Sequence, residues 1–524
     1  MVSRRRKDRR RAAARAALGI LGLLLAAGGP VVCGGATGAA ADAKSGGPET
    51  SELWGKAGEA WTPQSRLPDF SYAGYHCGDD PIPDVPVVAN VRDLGAKGDG
   101  ETDDTEAFLK AIREASNGAI LIPQGRYKLT KILEIQKPRL VLRGEGPGKT
   151  VLFFPKPLRE IGPASGWGPD RLKQVYYAYG ALFVHGNEVC APLADVKAPA
   201  KRGDTQLVVS RTEDISPGHL VRLIQRQQEG DLEGPLYHLY AGSKPADANA
   251  SQWTNGEVVD WVVRVKAVKD DTLILDRPLR VDVRPQWKAQ VLAYRPTVEE
   301  VGIEDLTIEF PRVKFIGPLQ EPGYNAISLQ RCLNCWVRNV HIIDAHNAIF
   351  CEEKARHCTI ENVRISATSP GDERGITGLH ATEADRCQDC LITKFSIETC
   401  FVFTLKLQLL ANGNVFSKGI GVNINLDHHG EAPYENLFTD IEVGAGDRIW
   451  ESGGRRESGA RTTFWNVRIS DSHKGRTVAT LPKWPQCNLI AVWPAAWASQ
   501  KPADKGSPAA WAEAIDPARL LTSA

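Results

Sequence analysis

The sequence predicts an all-β protein, a solenoid of short strands interrupted by one small β-rich insertion. Three observations lead there. Short apolar cores recur through the C-terminal half, one position beside them carries Cys three times running, and the stretch between two solenoid segments alternates like antiparallel strands. The chain has 524 residues, 42% of them apolar, which places it among globular and repeat proteins rather than disordered ones. Its 64 basic and 63 acidic residues give a formal charge of +1, without the basic domain that nucleic-acid binding needs.

The repeat is carried by DLTIEF at 305–310, NVHII at 339–343, NVRIS at 362–366, KFSIE at 394–398, KGIGV at 418–422, TDIEV at 439–443 and NVRIS at 466–470. Measured at Val340, Val363, Phe395, Ile420, Ile441 and Val467, the intervals are 23, 32, 25, 21 and 26 residues. Such a period suits coils that bury their apolar side chains against the next coil. The longest interval implies an extra loop, and it holds TSPGDERGITGLH at 368–380. Cys335, Cys358 and Cys390 each lie five residues before their strand core, and Asn414 and Asn436 fall near the same turn position. An inward stack on successive coils explains this, and the stack is expected to be metal-free. The pairs Cys332/Cys335 and Cys387/Cys390 leave disulfides or zinc as alternatives.

Ahead of the solenoid, eight basic residues between Arg4 and Arg15 precede the apolar run Ala16–Ala27 and small residues to Ala41. This reads as a secretory signal peptide over 1–41, with a run too short to span a bilayer, so no stable membrane anchor is expected. Its removal leaves 56 basic and 62 acidic residues, a net charge of -6. Residues 42–89 read as a linker and N-terminal extension. The solenoid starts over 90–193, the β-rich insertion covers 194–297, coils continue over 298–483, and 484–524 is a tail packing on the last coils. The two solenoid segments provide roughly ten or eleven coils.

From Asn90 the chain reads NVRDLGAKGDGETDDTEAFLKAIREASNGAILIPQGRYKL. This is a short strand, a Gly/Asp turn, a helix over Thr105–Ala115 and a buried strand over Ala119–Ile122. Asp99, Asp103 and Asp104 resemble a metal cluster, but tight-turn and cap duty accounts for them. The elements V-x-D-L-G-A-K-G-D-G-x-T-D-D-T, A-I and I-P-Q-G-x-Y resemble the opening segment of the pectate lyase superfamily. The resemblance implies a right-handed parallel β-helix capped by this helix, and a polysaccharide as substrate. It transfers no catalytic residue, and the paired aspartates and G-H-G of polygalacturonases are missing.

Outer faces of such coils form long grooves that suit extended polymers. The densest polar group is Asp427, His428 and His429 within NINLDHHG, and because neighbours in a strand face opposite sides, at most one histidine shares a groove with Asp427. These three and His380 are the catalytic candidates. Arg364, Arg374, Arg448, Trp450, Asp344 and His346 are the candidates for substrate binding, Trp450 as a sugar platform. His341, Arg364, Ser396, Gly421, Glu442 and Arg468 occupy one outward position on successive coils. The expectation is an exported (secreted or periplasmic) enzyme that cleaves a uronic-acid polysaccharide by β-elimination. Arg or Ca²⁺ would neutralise the substrate carboxylate. A glycoside hydrolase and a non-catalytic glycan binder are the alternatives, and oligomeric state is left open.

Overall fold

Asp305, Asn339, Asn362, Asp440 and Asn466 all hold φ between 52° and 59°, the left-handed region that Asn and Asp tolerate best. Each bends a strand at its middle. Asn339 donates to Asp305 at 2.6 Å and Asn362 to Asn339 at 3.1 Å, so the bends stack from coil to coil. The computed structural model describes residues 50–162, 179–242, 256–318, 320–445, 449–451, 458–469 and 484–492, with 505, 507 and 509–515. Among them the expected strand cores pair in parallel and in order. Gly302–Glu309 pairs with Trp336–Ile343, which pairs with Thr359–Ser366, and the ladder continues through Val415–Gly421, Leu437–Glu442 and Thr463–Arg468.

The result is a right-handed parallel β-helix with two sheets. A bent first sheet of 16 strands contains every core read from the repeat, and a second sheet of eight strands forms the remaining face. The helix Thr105–Glu114 buries Phe108, Ala111 and Ile112 on the opening coils. Inside, the rings of Phe416, Phe438 and Phe464 stack at 4.9 and 5.1 Å. The cysteine stack is present. The carbonyls of Cys335, Cys358, Cys390, Asn414 and Asn436 each accept the amide that opens the next coil's strand, at 2.8–2.9 Å. Asn414 Oδ1 also accepts from the Cys390 amide at 3.0 Å, and nine described cysteines are free thiols.

Three stretches differ from expectation. Residues 50–60, read as part of a flexible linker, pack instead. Leu53 and Leu67 are buried with Ile490 and Trp511, and Arg66 donates to Asn488 at 2.7 Å. The tail does not merely lie on the last coils, because Asn488–Ile490 and Trp511–Glu513 extend the parallel ladder. Asp104 makes no helix cap; its carboxylate ties the turn by accepting from the Lys97 and Gly98 amides at 2.6 and 3.0 Å. The stretch 1–41, read from sequence as a signal peptide, lies outside the described residues.

Between coils, Pro192–Asp195 to Gln290–Ala293 form a six-stranded antiparallel sheet. Arg277 meets Asp389 at 2.7 Å, Arg202 meets Glu435 at 3.0 Å and Arg356 meets Asp260 at 2.9 Å, so buried ion pairs fix the insertion on the helix. Breaking one such pair strands the other charge, which holds the insertion in one orientation.

Candidate active site on the second sheet

Five strands of the second sheet build the site: Asn325–Gln330, Asn347–Glu352, Ile376–Asp385, Cys400–Gln408 and Leu426–His428. Leu329, Cys351, Ala384, Leu407 and His428 stand in register and face the core. The residues one step earlier, Ser328, Phe350, Glu383, Lys406 and Asp427, therefore line up on the outer face. One step later in the first four strands come Gln330, Glu352, Asp385 and Gln408.

Lys406 Nζ donates to Glu383 Oε1 at 2.6 Å and to His380 Nε2 at 3.4 Å. His380 Nδ1 then carries the proton and donates to Asn347 Oδ1 at 2.8 Å, while the Asn347 amide donates to Asn325 at 2.8 Å. Burial, with the charges of Lys406 and His429, holds His380 well below the usual histidine range, so it stays neutral. Burial also opposes the Lys406 ammonium, but the carboxylates of Glu383 and Asp427 outweigh it and keep it charged. Glu352 and Asp385 are pushed well above the carboxylate range, by burial first and then by neighbouring carboxylates.

Asp427 is fully buried, and its Oδ2 accepts from His429 Nδ1 at 2.9 Å, while the His429 side chain is 26% exposed. Phe403 lies between the two outer histidines, stacked on His380 at 5.5 Å and edge-on to His429 at 4.7 Å. Among the described residues, Asp427 Oδ1, Glu383 Oε2 and Asp385 Oδ1 have no hydrogen-bond partner. A buried carboxylate that orients an accessible imidazole, beside a charged lysine, is an arrangement suited to proton transfer.

Residues 88–156 match a family model described as rhamnogalacturonase A/epimerase, pectate lyase-like. Over this opening segment the chain is similar to that pectate lyase-like family. Alginate lyase 7 of Azotobacter vinelandii is 39% identical over 72 residues, 12% of this chain and 8% of that protein. A polygalacturonase of Prunus persica is 35% identical over 89 residues, 16% of this chain and 22% of that protein. The chain thus spans less than a quarter of either relative. Among solved structures, the tailspike gp61 of Pseudomonas phage phi297 aligns at 12% identity over 74% of this chain and 60% of that one, with a TM-score of 0.44. The tailspike gp49 of Pseudomonas phage LKA1 aligns at 13% identity over 77% and 70%, with a TM-score of 0.43.

On this parallel β-helix the candidates read from sequence separate. Asp427, His429 and His380 come together on one face. His428 does not join them: it points into the coil, 4.1 Å from the Trp484 ring, and burial lowers it to about 4. Trp450 is no sugar platform, because it pairs in register with Leu426 and packs inward on Phe464 at 4.7 Å. Asp344 is buried in a turn, where it accepts from the Thr368 and Ser369 amides, both at 2.7 Å. His346 is buried between Phe315 and Tyr324, and burial lowers it to about 4. Neither can meet a substrate where it stands.

Arg364 lies on the first sheet, paired with Glu398 at 2.7 Å, on a face that does not carry the cluster. Arg374 stands on the loop entering Ile376–Asp385 and pairs with Asp372 at 2.9 Å. Arg448 lies outside the described residues. The outward row on the first sheet runs His341, Arg364, Ser396, Ile420, Glu442 and Arg468, with Ile420 in the place expected for Gly421. Gly419 sets that register: a Cβ there would stand 2.0 Å from the Phe395 ring.

Glu383, Lys406, Glu352, Asp385 and Asn347 were missed from sequence, because the repeat was traced on the first sheet alone. Two signals point to them. Asn-Ala-Ile recurs at 325–327 and 347–349, and Phe403–Gln408 alternates as a strand with one face buried does.

Proposed function

We propose that this protein is exported and cleaves an acidic, uronic-acid-containing polysaccharide by β-elimination. The observation that carries the reading is the Asp427–His429 contact on the outer face of the second sheet. Asp427 holds the Nδ1 proton, which leaves Nε2 of the accessible imidazole free to take the proton beside a substrate carboxylate while the bond to the leaving oxygen breaks. Lys406, with Glu383 and His380, sits behind this pair as a positioning group. Arg374, at the entrance of the same sheet, is the cation assigned to the substrate carboxylate. Resemblance of short segments to a named alginate lyase and a named polygalacturonase supports a polysaccharide substrate.

One observation favours a glycoside hydrolase as the second reading. Glu352 and Asp385 follow the paired residues Cys351 and Ala384 on neighbouring strands. Strands about 4.8 Å apart bring their carboxyls close to the roughly 5 Å separation of retaining enzymes. Incubation with a panel of uronic and neutral polysaccharides separates the readings. New reducing ends with unsaturated-uronate absorbance support the lyase; reducing ends alone support the hydrolase; binding without either leaves a glycan-binding protein.

A further inference from the structure

Six buried thiols form one continuous group inside the coils. Cys332 Sγ and Cys358 Sγ are 3.8 Å apart, and the sulfurs of Cys332, Cys335 and Cys358 all lie within 4.8 Å of one another. Alongside them, Cys390 Sγ donates to the Ala355 carbonyl at 3.6 Å and Cys387 Sγ to the Cys351 carbonyl at 2.6 Å. All six side chains are at most 1% exposed. The stack expected from sequence, Cys335, Cys358 and Cys390, is one edge of this group. Cys332 adds the thiol that turns the edge into a three-sulfur face.

That face has the dimensions of a metal site. Four-coordinate zinc holds Cys sulfurs at about 2.3 Å, so two sulfurs of its tetrahedron stand about 3.8 Å apart. The Cys332–Cys358 separation of 3.8 Å matches this edge. We propose that Cys332, Cys335 and Cys358 bind one zinc ion in the core of the β-helix, with Cys390, the next thiol of the stack, closing in as the fourth ligand when the metal binds. This revises the expectation of a metal-free stack. Each ligand thiol releases its proton as its bond to zinc forms, and no electron is exchanged. Cys487 shows the contrast. It occupies the same stack position near the last coils, its carbonyl accepting the Trp511 amide at 2.7 Å, but it stands outside the three-sulfur group. The site is sealed from solvent, so it fills as the chain folds.

The test refolds the full chain with Zn²⁺ alone, removes loose metal, and counts zinc per chain. Co²⁺ in a parallel refolding reads out the ligands through thiolate-to-cobalt charge transfer. We expect about one zinc per chain, a cobalt–thiolate band, loss of both in Cys358→Ser and retention of both in Cys487→Ser. Refolded wild-type protein with less than about a tenth of a zinc per chain would overturn the proposal. So would a Cys332–Cys358 disulfide found by non-reducing peptide mapping, which needs the sulfurs to close to about 2.05 Å. If Cys358→Ser fails to fold, the wild-type zinc count and cobalt spectrum decide alone.

Discussion

Two outer faces of the same coils carry similar residues and put them in opposite electrostatic settings. On the first sheet, Arg364 and Glu398 form a bidentate pair with side chains 56% and 37% exposed. On the second, Lys406 and Glu383 form a pair with both side chains 5% exposed, joined to His380 and bordered by Asp427. Water screens the first pair and is excluded from the second, so the same charges interact several-fold more strongly there. Chemistry that needs shifted proton affinities belongs on the second face. A row of polar residues at one coil position does not say which face is which.

The sharpest way to break this comparison is to remove the proton-transfer pair. On an identified polysaccharide, His429→Ala should lower kcat by about 10²–10⁴-fold, the usual contribution of a general base. Asp427→Asn should fall in the same direction by misorienting the imidazole. His341→Ala on the first sheet, whose ring meets Ser366 at 2.8 Å, should keep kcat within about threefold. Equal losses at His341 and His429 would place the active face wrongly.

Next in size is the buried ion pair. Lys406→Met strands the Glu383 carboxylate with its neighbours in a dry setting, and should cost about 3–5 kcal/mol in urea unfolding. The double variant Lys406→Met/Glu383→Leu should recover part of that loss, because it leaves fewer charges unpaired. A loss below about 1 kcal/mol for the single variant would mean that solvent reaches the pair.

How far the sequence reached follows the same division. The first sheet was legible because its strands recur as N-V-x-I-S-like cores after an Asn, Asp or Lys in the left-handed region, a pattern that survives loop insertions. The Cys and Asn stack was legible because each coil repeats it at a fixed offset from those cores. The second sheet was hidden. Its strand Ile376–Asp385 begins inside the interval read as an extra loop, and strand lengths there vary from Leu426–His428 to Ile376–Asp385. Alternation correctly limited the histidines beside Asp427 to one, but which sheet covers which face is set by packing between distant segments. For that reason the sequence did not show that Arg364 stands on the other sheet and that Trp450 packs on Phe464.

A smaller effect separates the inside of the coil from its outside. His428 is held neutral in the core down to about pH 4, while an unfolded histidine titrates near 6.5. Above 6.5 neither state binds the proton. As pH falls from 6.5 towards 4, the unfolded chain takes up a proton that the folded chain refuses, so stability drops over that window by up to about 3 kcal/mol. His346, lowered to about 4, adds a loss of the same sign. His428→Leu should reduce the loss measured between pH 7 and 4.5 by urea unfolding, with little change in kcat. An unchanged acid limb would mean that His428 is solvated.

The smallest effect lies on the exposed face. The two 2.7 Å contacts of Arg364 with Glu398 look as strong as any in the molecule. Yet water competes for both side chains, and the order imposed on them offsets most of what the contacts return. Arg364→Ala should therefore change urea stability by less than about 1 kcal/mol, and that difference should shrink further in high salt. Because the pair stands on the first sheet, KM and kcat on the substrate should stay within about twofold. A rise in KM of tenfold or more would return Arg364 to the substrate-binding surface. The groove would then wrap from the second sheet onto the first, and the contrast between the two faces would be one of stability only.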